Sequence, residues 1–438
     1  MSDWTTLKLS AIAQLITKGA TPTTYGHEYA EFGIAFVRVN NISENGRLDL
    51  DRCLFIGSIT HALFSRSQLH ANDVLISIAG SIGRTAVVEA ITLPANCNQA
   101  VALVRLEVDY EPRFIARLLA SNLGRAQIAA STVQLAQANL SLRQVGDLQF
   151  RFPPYREQQG ITNVIDSIDA TIHHTEAIIE KLKLVKQGLL HDLLTRGIDA
   201  NGELRPQQSQ APHLYKDSLL GSIPRTWSVE RLDGLLSNEQ PAMRSGPFGS
   251  ALLKCEQVES GVPLLGIDNV HTEEFIDKFT RFVPITKFHE LSRYAVRPDD
   301  LMITIMGTVG RCCLVPSGIG RALSSKHTWT ITLDQSKYSP LLAMLQINYS
   351  LRILEQLARD EQGGIMSAIR SDTLRSLHFP VPPIKEQIEM AERMQAITSR
   401  INTESEVLRK LTCEKFGLMD DLLTGRVRVT SLLGTTDA

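Results

Sequence analysis

The chain has 438 residues, 43% of them hydrophobic, and its 45 Lys+Arg and 47 Asp+Glu leave a net charge of −2. That length points to two to four domains rather than one, and the apolar content is enough to fill proper cores, which excludes wholesale disorder. Charge is balanced by part as well, 12 cations against 12 anions over residues 1–150 and 17 against 17 over 221–380, so any nucleic-acid surface has to be a local patch.

The N-terminal MSDWTTLKLSAIAQL lacks the basic-then-apolar pattern of a signal peptide. No apolar run approaches the ~20 residues that span a bilayer, so a cytoplasmic protein is expected. LITKGATPTTYG (15–26) is rich in Gly, Pro and small polar residues and reads as a loop. GIAFVRVNNI (33–42) reads as a short strand ending at Asn40 and Asn41. NDVLISIAGSIGR (72–84) reads as an apolar strand, a turn bounded by Gly80 and Gly83, and Arg84 just beyond it. DLQFRFPP (147–154) is a strand running into PPYREQQ. Enzymes that methylate the exocyclic amine of adenine carry an Asn or Asp before Pro-Pro-aromatic, where an oxygen accepts from the amine and the aromatic stacks on a flipped base. Here that position is Phe152, which offers no acceptor.

From Pro153 a long helix is predicted. Apolar residues fall at Ile161, Ile165, Ile168, Ile172, Ile179, Leu182, Leu189 and Leu193, alternating steps of four and three with one polar break at Thr175, the seam of a coiled coil. A polar, turn-rich linker follows, from GIDANGELRPQQ to the segment before Trp227. Then the sequence repeats. RSGPFGSALLK (244–254) is a second Gly/Pro-rich loop, GVPLLGIDNV (261–270) matches 33–42 with Asn269 against Asn41, and DDLMITIMGTVGR (299–311) matches 72–84. Asp300, Gly307, Gly310 and Arg311 thereby answer Asp73, Gly80, Gly83 and Arg84. SLHFPVPP (376–383) leads into PPIKEQI, 229 residues after PPYREQQ, and the same offset holds without a gap from HDLLTRG to DDLLTGR. The second seam is Met390, Met394, Ile397, Ile401, Leu408, Leu411, Leu418 and Leu422, with its break at Glu404. The second copy has Val381 before the prolines and Ile384 after them, so neither copy keeps both acceptor and aromatic. The prolines start helices instead, with Glu157 and Glu386 near the positive end of each helix dipole. The six cysteines form no C-x-x-C pair, which predicts scattered thiols and no metal site. His173 and His174 lie within the first helix with no third ligand suggested. No G-x-G-x-x-G loop or Walker lysine motif occurs, and no cofactor is expected.

The paired motifs PPYREQ…LLTRG and PPIKEQ…LLTGR, with LISIAGSIGR and MITIMGTVGR, resemble those of the specificity subunits of type I restriction–modification systems over essentially the whole chain. The resemblance implies an α+β fold in which two globular α/β target recognition domains are joined by a pair of long antiparallel coiled-coil helices, an internal duplication with pseudo-twofold symmetry. The expected division is recognition domain 1 at 1–152, a helix at 153–197, a linker at 198–222, recognition domain 2 at 223–381, a helix at 382–426 and a tail at 427–438. It further implies a non-catalytic subunit that binds double-stranded DNA, each domain reading half of a bipartite site. The helices set the spacer and dock two methyltransferase subunits, which methylate adenine with S-adenosylmethionine, and motor/nuclease subunits join for ATP-driven cleavage. A stand-alone adenine methyltransferase and a coiled-coil scaffold without specific DNA binding are the alternative readings.

On that resemblance the candidate DNA-binding residues are loop and strand-end groups. Arg84 and Arg311 follow glycine turns that let the backbone approach phosphate, against the alternative of an intradomain salt bridge. Lys18, Thr21 and Thr23 lie in the first loop, and Arg244, Ser245 and Lys254 in the second. Asn40, Asn41 and Asn269 follow strands, where an amide either pairs with adenine or caps a turn. Asn98 and Gln99, with Ser325 and Lys326 as their equivalents, complete the set.

Overall fold

The structure, a computed structural model, describes residues 4–132, 139–306, 309–361 and 369–432. Its contacts divide the chain into two units, residues 1–178 with 404–438 and residues 179–403.

In the first unit the strands are β1 (Thr5–Lys8), β2 (Ala13–Lys18), β3 (Ile34–Val37), β4 (Leu54–Ile56), β5 (Val74–Ser77), β6 (Thr85–Val87), β7 (Ala95–Cys97), β8 (Val101–Leu106) and β9 (Gln149–Phe152). The helices are α1 (Ser58–Leu63), α2 (Pro112–Ala120), α3 (Asn122–Thr132), α4 (Leu142–Asp147) and the long α5 (Tyr155–Thr195), which continues into the second unit. One antiparallel sheet has the order β2-β8-β5-β6; a second has β4-β3-β7, with β3 parallel to β7; β1 pairs with β9 just ahead of α5. The apolar runs of β5 and β8 reflect burial on both faces. Alternate residues divide between two cores, as the pleat requires: Val74, Ile76, Ala102 and Val104 face α2, whereas Leu75, Val101 and Leu103 face the β3–β7 layer.

The second unit repeats this plan. Its strands are β10 (Tyr215–Ser218), β11 (Gly221–Pro224), β12 (Ser228–Arg231), β13 (Met243–Ser245), β14 (Val262–Leu265), β15 (Phe282–Val283), β16 (Leu301–Thr304), β17 (Cys312–Leu314), β18 (Leu323–Ser324), β19 (Thr328–Ile331) and β20 (His378–Val381). Its helices are α6 (Leu232–Leu235), α7 (Ile285–Glu290), α8 (Pro340–Tyr349), α9 (Leu351–Glu361), α10 (Ser371–Ser376) and α11 (Ile384–Thr424). The sheets β13-β19-β16-β17, β15-β14-β18 and β12-β20 match those of the first unit strand for strand. The hairpin β10–β11 is additional and falls largely within the segment read as linker. It is folded rather than loose, because Tyr215 and Ile223 are buried and the Tyr215 hydroxyl donates to the Pro206 carbonyl at 2.6 Å.

Within each unit the start of one long helix packs against the end of the other, which makes the pairing antiparallel. Ile161 and Ile165 of α5 share a core with Leu422 and Leu423 of α11 in the first unit. Leu190, Leu193 and Leu194 of α5 join Met390 and Met394 of α11 in the second. None of the sixteen seam positions read from the sequence is exposed. The stripe is wider at the helix ends, where Leu190, Leu194 and Leu423 are buried as well, because these turns pack on a domain core besides the partner helix. At the polar break Thr175 is buried and its hydroxyl donates back to the Thr171 carbonyl at 2.9 Å.

The repeated Glu-Gln after the prolines does more than complement a helix dipole. In the second unit Glu386 accepts from both arms of Arg205 (2.5 and 2.9 Å), from Trp227 Nε1 (3.0 Å) and from the Ile198 amide (2.9 Å). In the first unit Glu157 takes Arg428 (2.5 and 2.6 Å) and Trp4 Nε1 (3.3 Å). Each arginine lies just beyond the end of the opposite helix, so each carboxylate clasps a helix start to the other helix's exit. Gly197 (φ +64°) makes room: a Cβ there would lie 2.2 Å from Glu386 Oε1 and 2.5 Å from the Trp227 ring. The adjacent glutamines tie the same turns to the domains. Gln158 accepts from the Glu111 amide at 2.9 Å, and Gln387 from the Ser339 amide at 2.8 Å, at the N-caps of α2 and α8.

Candidate nucleic-acid interface

Most of the candidate residues cluster where strand ends converge, and the convergence is built identically in each domain. In the first, the loop Asn98–Ala100 between β7 and β8 is the hub. Its Asn98 carbonyl accepts from Gly19 after β2 (3.2 Å), its Asn98 amide donates to Val37 at the end of β3 (2.9 Å), and its Ala100 carbonyl accepts from Ile78 after β5 (2.8 Å). In the second, the loop Ser325–His327 does the same with Gly246 after β13 (3.1 Å), Leu265 of β14 (2.8 Å) and Ile305 after β16 (3.1 Å). Glycine is required at the first contact. A Cβ on Gly19 would lie 1.7 Å from the Cys97 carbonyl oxygen, and one on Gly246 2.1 Å from that of Ser324. Each domain therefore presents a tip made from four strand ends.

At the first tip Lys18, Thr23, Asn40 and Gln99 are exposed. Thr21 donates to the Gln99 side chain, and Asn98 Oδ1 accepts from the Ala100 amide at 3.1 Å, which shapes the hub turn. At the second tip Lys326 is exposed, as is Lys254 on the neighbouring loop. His327 lies beside Lys326; desolvation, with Lys326 and Arg281 nearby, lowers its pKa.

Four candidates are corrected. Asn41 and Asn269 are 2% exposed, and each amide is consumed by its own turn. Asn41 accepts from the Arg38 amide (3.0 Å) and donates to the Asp49 carbonyl (2.9 Å), while Asn269 accepts from Gly266 (3.0 Å) and donates to Ile276 (2.9 Å) and Lys278 (3.2 Å). Ser245 is buried, its hydroxyl 3.4 Å from the Lys326 carbonyl. Arg244 is interior: it pairs with Asp300 and donates to Ala295 O (2.8 Å) and Thr332 Oγ1 (2.9 Å). Burial lowers the pKa of this guanidinium and raises that of the Asp300 carboxyl, so the bond network between them has to offset desolvation.

The glycine-turn arginines differ. Gly83 (φ +86°) and Gly310 (φ +85°) close equivalent hairpins, with the Arg84 amide on Ser77 Oγ (2.8 Å) and the Arg311 amide on Thr304 Oγ1 (3.0 Å). Arg84 then turns to its own domain, reaching the Ile42 carbonyl at 3.3 Å and Glu44 at 3.2 Å. Arg311 is half-buried. Gly307 lies outside the described residues.

Strand register supplies an alignment that sequence did not, since Thr17 pairs with Leu103 where Arg244 pairs with Thr330. It shows that the interior ion pair is conserved in chemistry while its arginine changes strand. In the first domain Asp73 is held by Arg105 of β8, Nε and Nη2 both at 2.8 Å, and the β2 position equivalent to Arg244 is Thr17. In the second the arginine is on the β2 equivalent and Thr332 takes the place of Arg105.

Among the described residues no cluster of His, Cys, Asp and Glu is arranged to hold a metal ion, and no helix is long and apolar enough to cross a membrane. The described cysteines are unpaired, and burial pushes the thiols of Cys97 and Cys313 up to about 12, which suits structural rather than reactive sulfur.

Residues 1–184 match the family model described as type I restriction modification DNA specificity domain. The putative type I restriction enzyme MjaX specificity subunit of Methanocaldococcus jannaschii is 25% identical, covering 98% of this chain and 94% of that protein. The EcoBI specificity subunit of Escherichia coli is 20% identical over 90% of this chain and 79% of its own length. In fold the chain resembles the S subunit of a type I restriction–modification system from M. genitalium (TM-score 0.54, 14% identity, 96% of each chain). It also resembles a chain solved in work on complex assembly and conformational transition of the type I R-M system (TM-score 0.57, 15% identity, 97% and 98% covered). With the family model on the first domain and relatives aligned along nearly the full length, the chain is similar throughout to the specificity subunits of type I restriction–modification systems.

Proposed function

We propose that this chain is the non-catalytic DNA-recognition subunit of its complex, and that each loop tip reads one half of a bipartite site. The observation that carries the reading is the double construction of the tip: the same hydrogen bonds join the same strand ends twice, while the side chains offered at the surface differ, Thr23 and Gln99 in one domain against Phe248 and Lys326 in the other. A conserved frame with divergent exposed groups suits two readers of two different sequences. The long helices, 41 residues and ~60 Å each, set the spacing between half-sites and dock two adenine-methyltransferase subunits; the motor/nuclease subunits complete the assembly in the cytoplasm.

The test is a reconstitution. The purified chain alone transfers no methyl group; with the cognate methyltransferase subunits and S-adenosylmethionine it directs adenine methylation to a two-part sequence. Methyl transfer by the chain alone, or methylation of DNA irrespective of sequence by the complex, overturns the reading.

A further inference from the structure

At the first tip the Arg38 guanidinium shows no hydrogen-bond or ion-pair partner among the described residues. Arg38 follows β3 and is half-buried. Its Nε is buried without any hydrogen-bond partner, and its guanidinium makes no ion pair among the described residues. Its backbone amide is fixed by Asn41, so the residue is anchored while its buried Nε has no partner among the described residues. A buried donor left unmade is costly, and a planar five-donor group is suited to bidentate acceptors such as phosphate or the O6/N7 edge of guanine.

The second tip holds a guanidinium in the corresponding place, delivered from elsewhere in the chain. The residue equivalent to Arg38 is Gly266: it also follows the strand, and its amide donates to Asn269 at the same 3.0 Å. A Cβ on Gly266 would lie 2.2 Å from Arg281 Nη2, so the head of Arg281 occupies the space a side chain at 266 would need. Arg281 enters from the chain just ahead of β15, pairs with the partly exposed Asp268, and lies close enough to His327 of the hub loop to act on it electrostatically. The glycine and the displaced arginine are thus one arrangement: the position of the charge is kept although the residue that carries it is not.

Building on the reading that the tips recognise DNA, we propose that Arg38 and Arg281 are quasi-equivalent recognition residues, each donating to a phosphate or a guanine of its own half-site. The test uses the full complex with its methyltransferase subunits, wild type and the variants Arg38→Ala, Arg38→Lys, Arg281→Ala and Arg281→Lys. Readouts are binding to the two-part site across a salt series and position-resolved methylation of a randomised library.

If the acceptor is a base, Arg38→Ala loses about 5- to 150-fold discrimination at one position of one half-site, Arg281→Ala does so in the other, and lysine does not restore it, having no bidentate fork. If it is a phosphate, each alanine variant weakens binding to all sequences and lowers the salt slope by about 1, and lysine recovers the slope. Either result supports the assignment, and neither follows from a purely structural role, which would alter the melting temperature without moving salt slope or library profile. Folded alanine variants with wild-type affinity, slope and profile overturn the assignment while the DNA-reading function stands. A wild-type complex that does not discriminate between sequences overturns both.

Discussion

Removing the carboxylate of Glu386 isolates the contribution of the helix clasp. Glu386→Ala leaves the Arg205 guanidinium, whose side chain is 9% exposed, without its counter-charge, and strips acceptors from Trp227 Nε1 and the Ile198 amide. Breaking a buried pair from one side costs about 3–5 kcal/mol. In the first unit Glu157→Ala faces a different situation, because Arg428 is 28% exposed and can turn to water. Its cost is that of lost charged hydrogen bonds, about 1.5–3 kcal/mol, reduced further by solvent screening. The two variants therefore rank, Glu386→Ala above Glu157→Ala. With a urea slope of roughly 2–3 kcal/mol/M, the first lowers the midpoint of its unit by about 1–2.5 M. Trp227 and Trp329 report on the second unit and Trp4 on the first, so tryptophan fluorescence during urea unfolding, with single Trp→Phe backgrounds, assigns each transition. The double variant Glu386→Ala/Arg205→Met removes both charges and recovers part of the loss, as apolar replacement of buried pairs does. Equal costs at the two glutamates, or no recovery in the double variant, would refute the clasp energetics.

Replacing residues 1–152 by the equivalent domain of a relative changes one half-site and leaves the other intact; methylation mapping that finds both rewritten shows that the domains are not independent readers. Inserting seven residues into each helix, between Thr175 and Ile179 and between Glu404 and Leu408, keeps the seam in register and adds ~10.5 Å. Either the preferred spacer grows by roughly three base pairs or activity is lost, whereas undiminished methylation at the original spacing excludes the helices as a ruler. Arg105→Thr leaves Asp73, 1% exposed, without its ion pair and destabilises the first unit by about 3–5 kcal/mol. Adding Thr17→Arg copies the second domain's arrangement and restores much of that; chemical denaturation shows whether it does. His327 has a lowered pKa, so its contribution to stability is intact above about pH 6.5, the ordinary histidine value, and is lost as pH falls through the lowered one. The melting temperature of His327→Gln should then fall less steeply between pH 7.5 and 5 than wild type, and parallel curves would count against this.

The long helices were legible because a heptad pattern repeated at a fixed offset of 229 residues depends only on period, which a single sequence displays. The tips were less legible because their construction rests on backbone hydrogen bonds between strand ends far apart in sequence, and nothing in LITKGATPTTYG announces that Gly19 must press against the Cys97 carbonyl. An asparagine after a strand reads alike whether it faces DNA or closes a turn, and Asn41 and Asn269 do the latter with the same acceptor geometry. Arg244 looks like a loop cation because its Gly- and Pro-rich neighbours are a loop, yet it lies within strand β13, whose register directs it onto Asp300. The clasps carried a signal in the sequence that spacing alone did not decode: Glu157 and Glu386 recur with Trp4 and Trp227 ahead of them and an arginine shortly past each helix exit. What selects these residues is a three-way geometry, a carboxylate at one helix start, an indole from the first strand's entry and a guanidinium from the opposite helix's end. The same relation explains how the two halves diverge. Charge is conserved as a position in space, at Asp73 and Asp300 inside each domain and at Arg38 and Arg281 on each tip, while the residue that supplies its partner or its place migrates between strands. A column-by-column comparison of the repeats therefore underestimates how much of the framework has been retained.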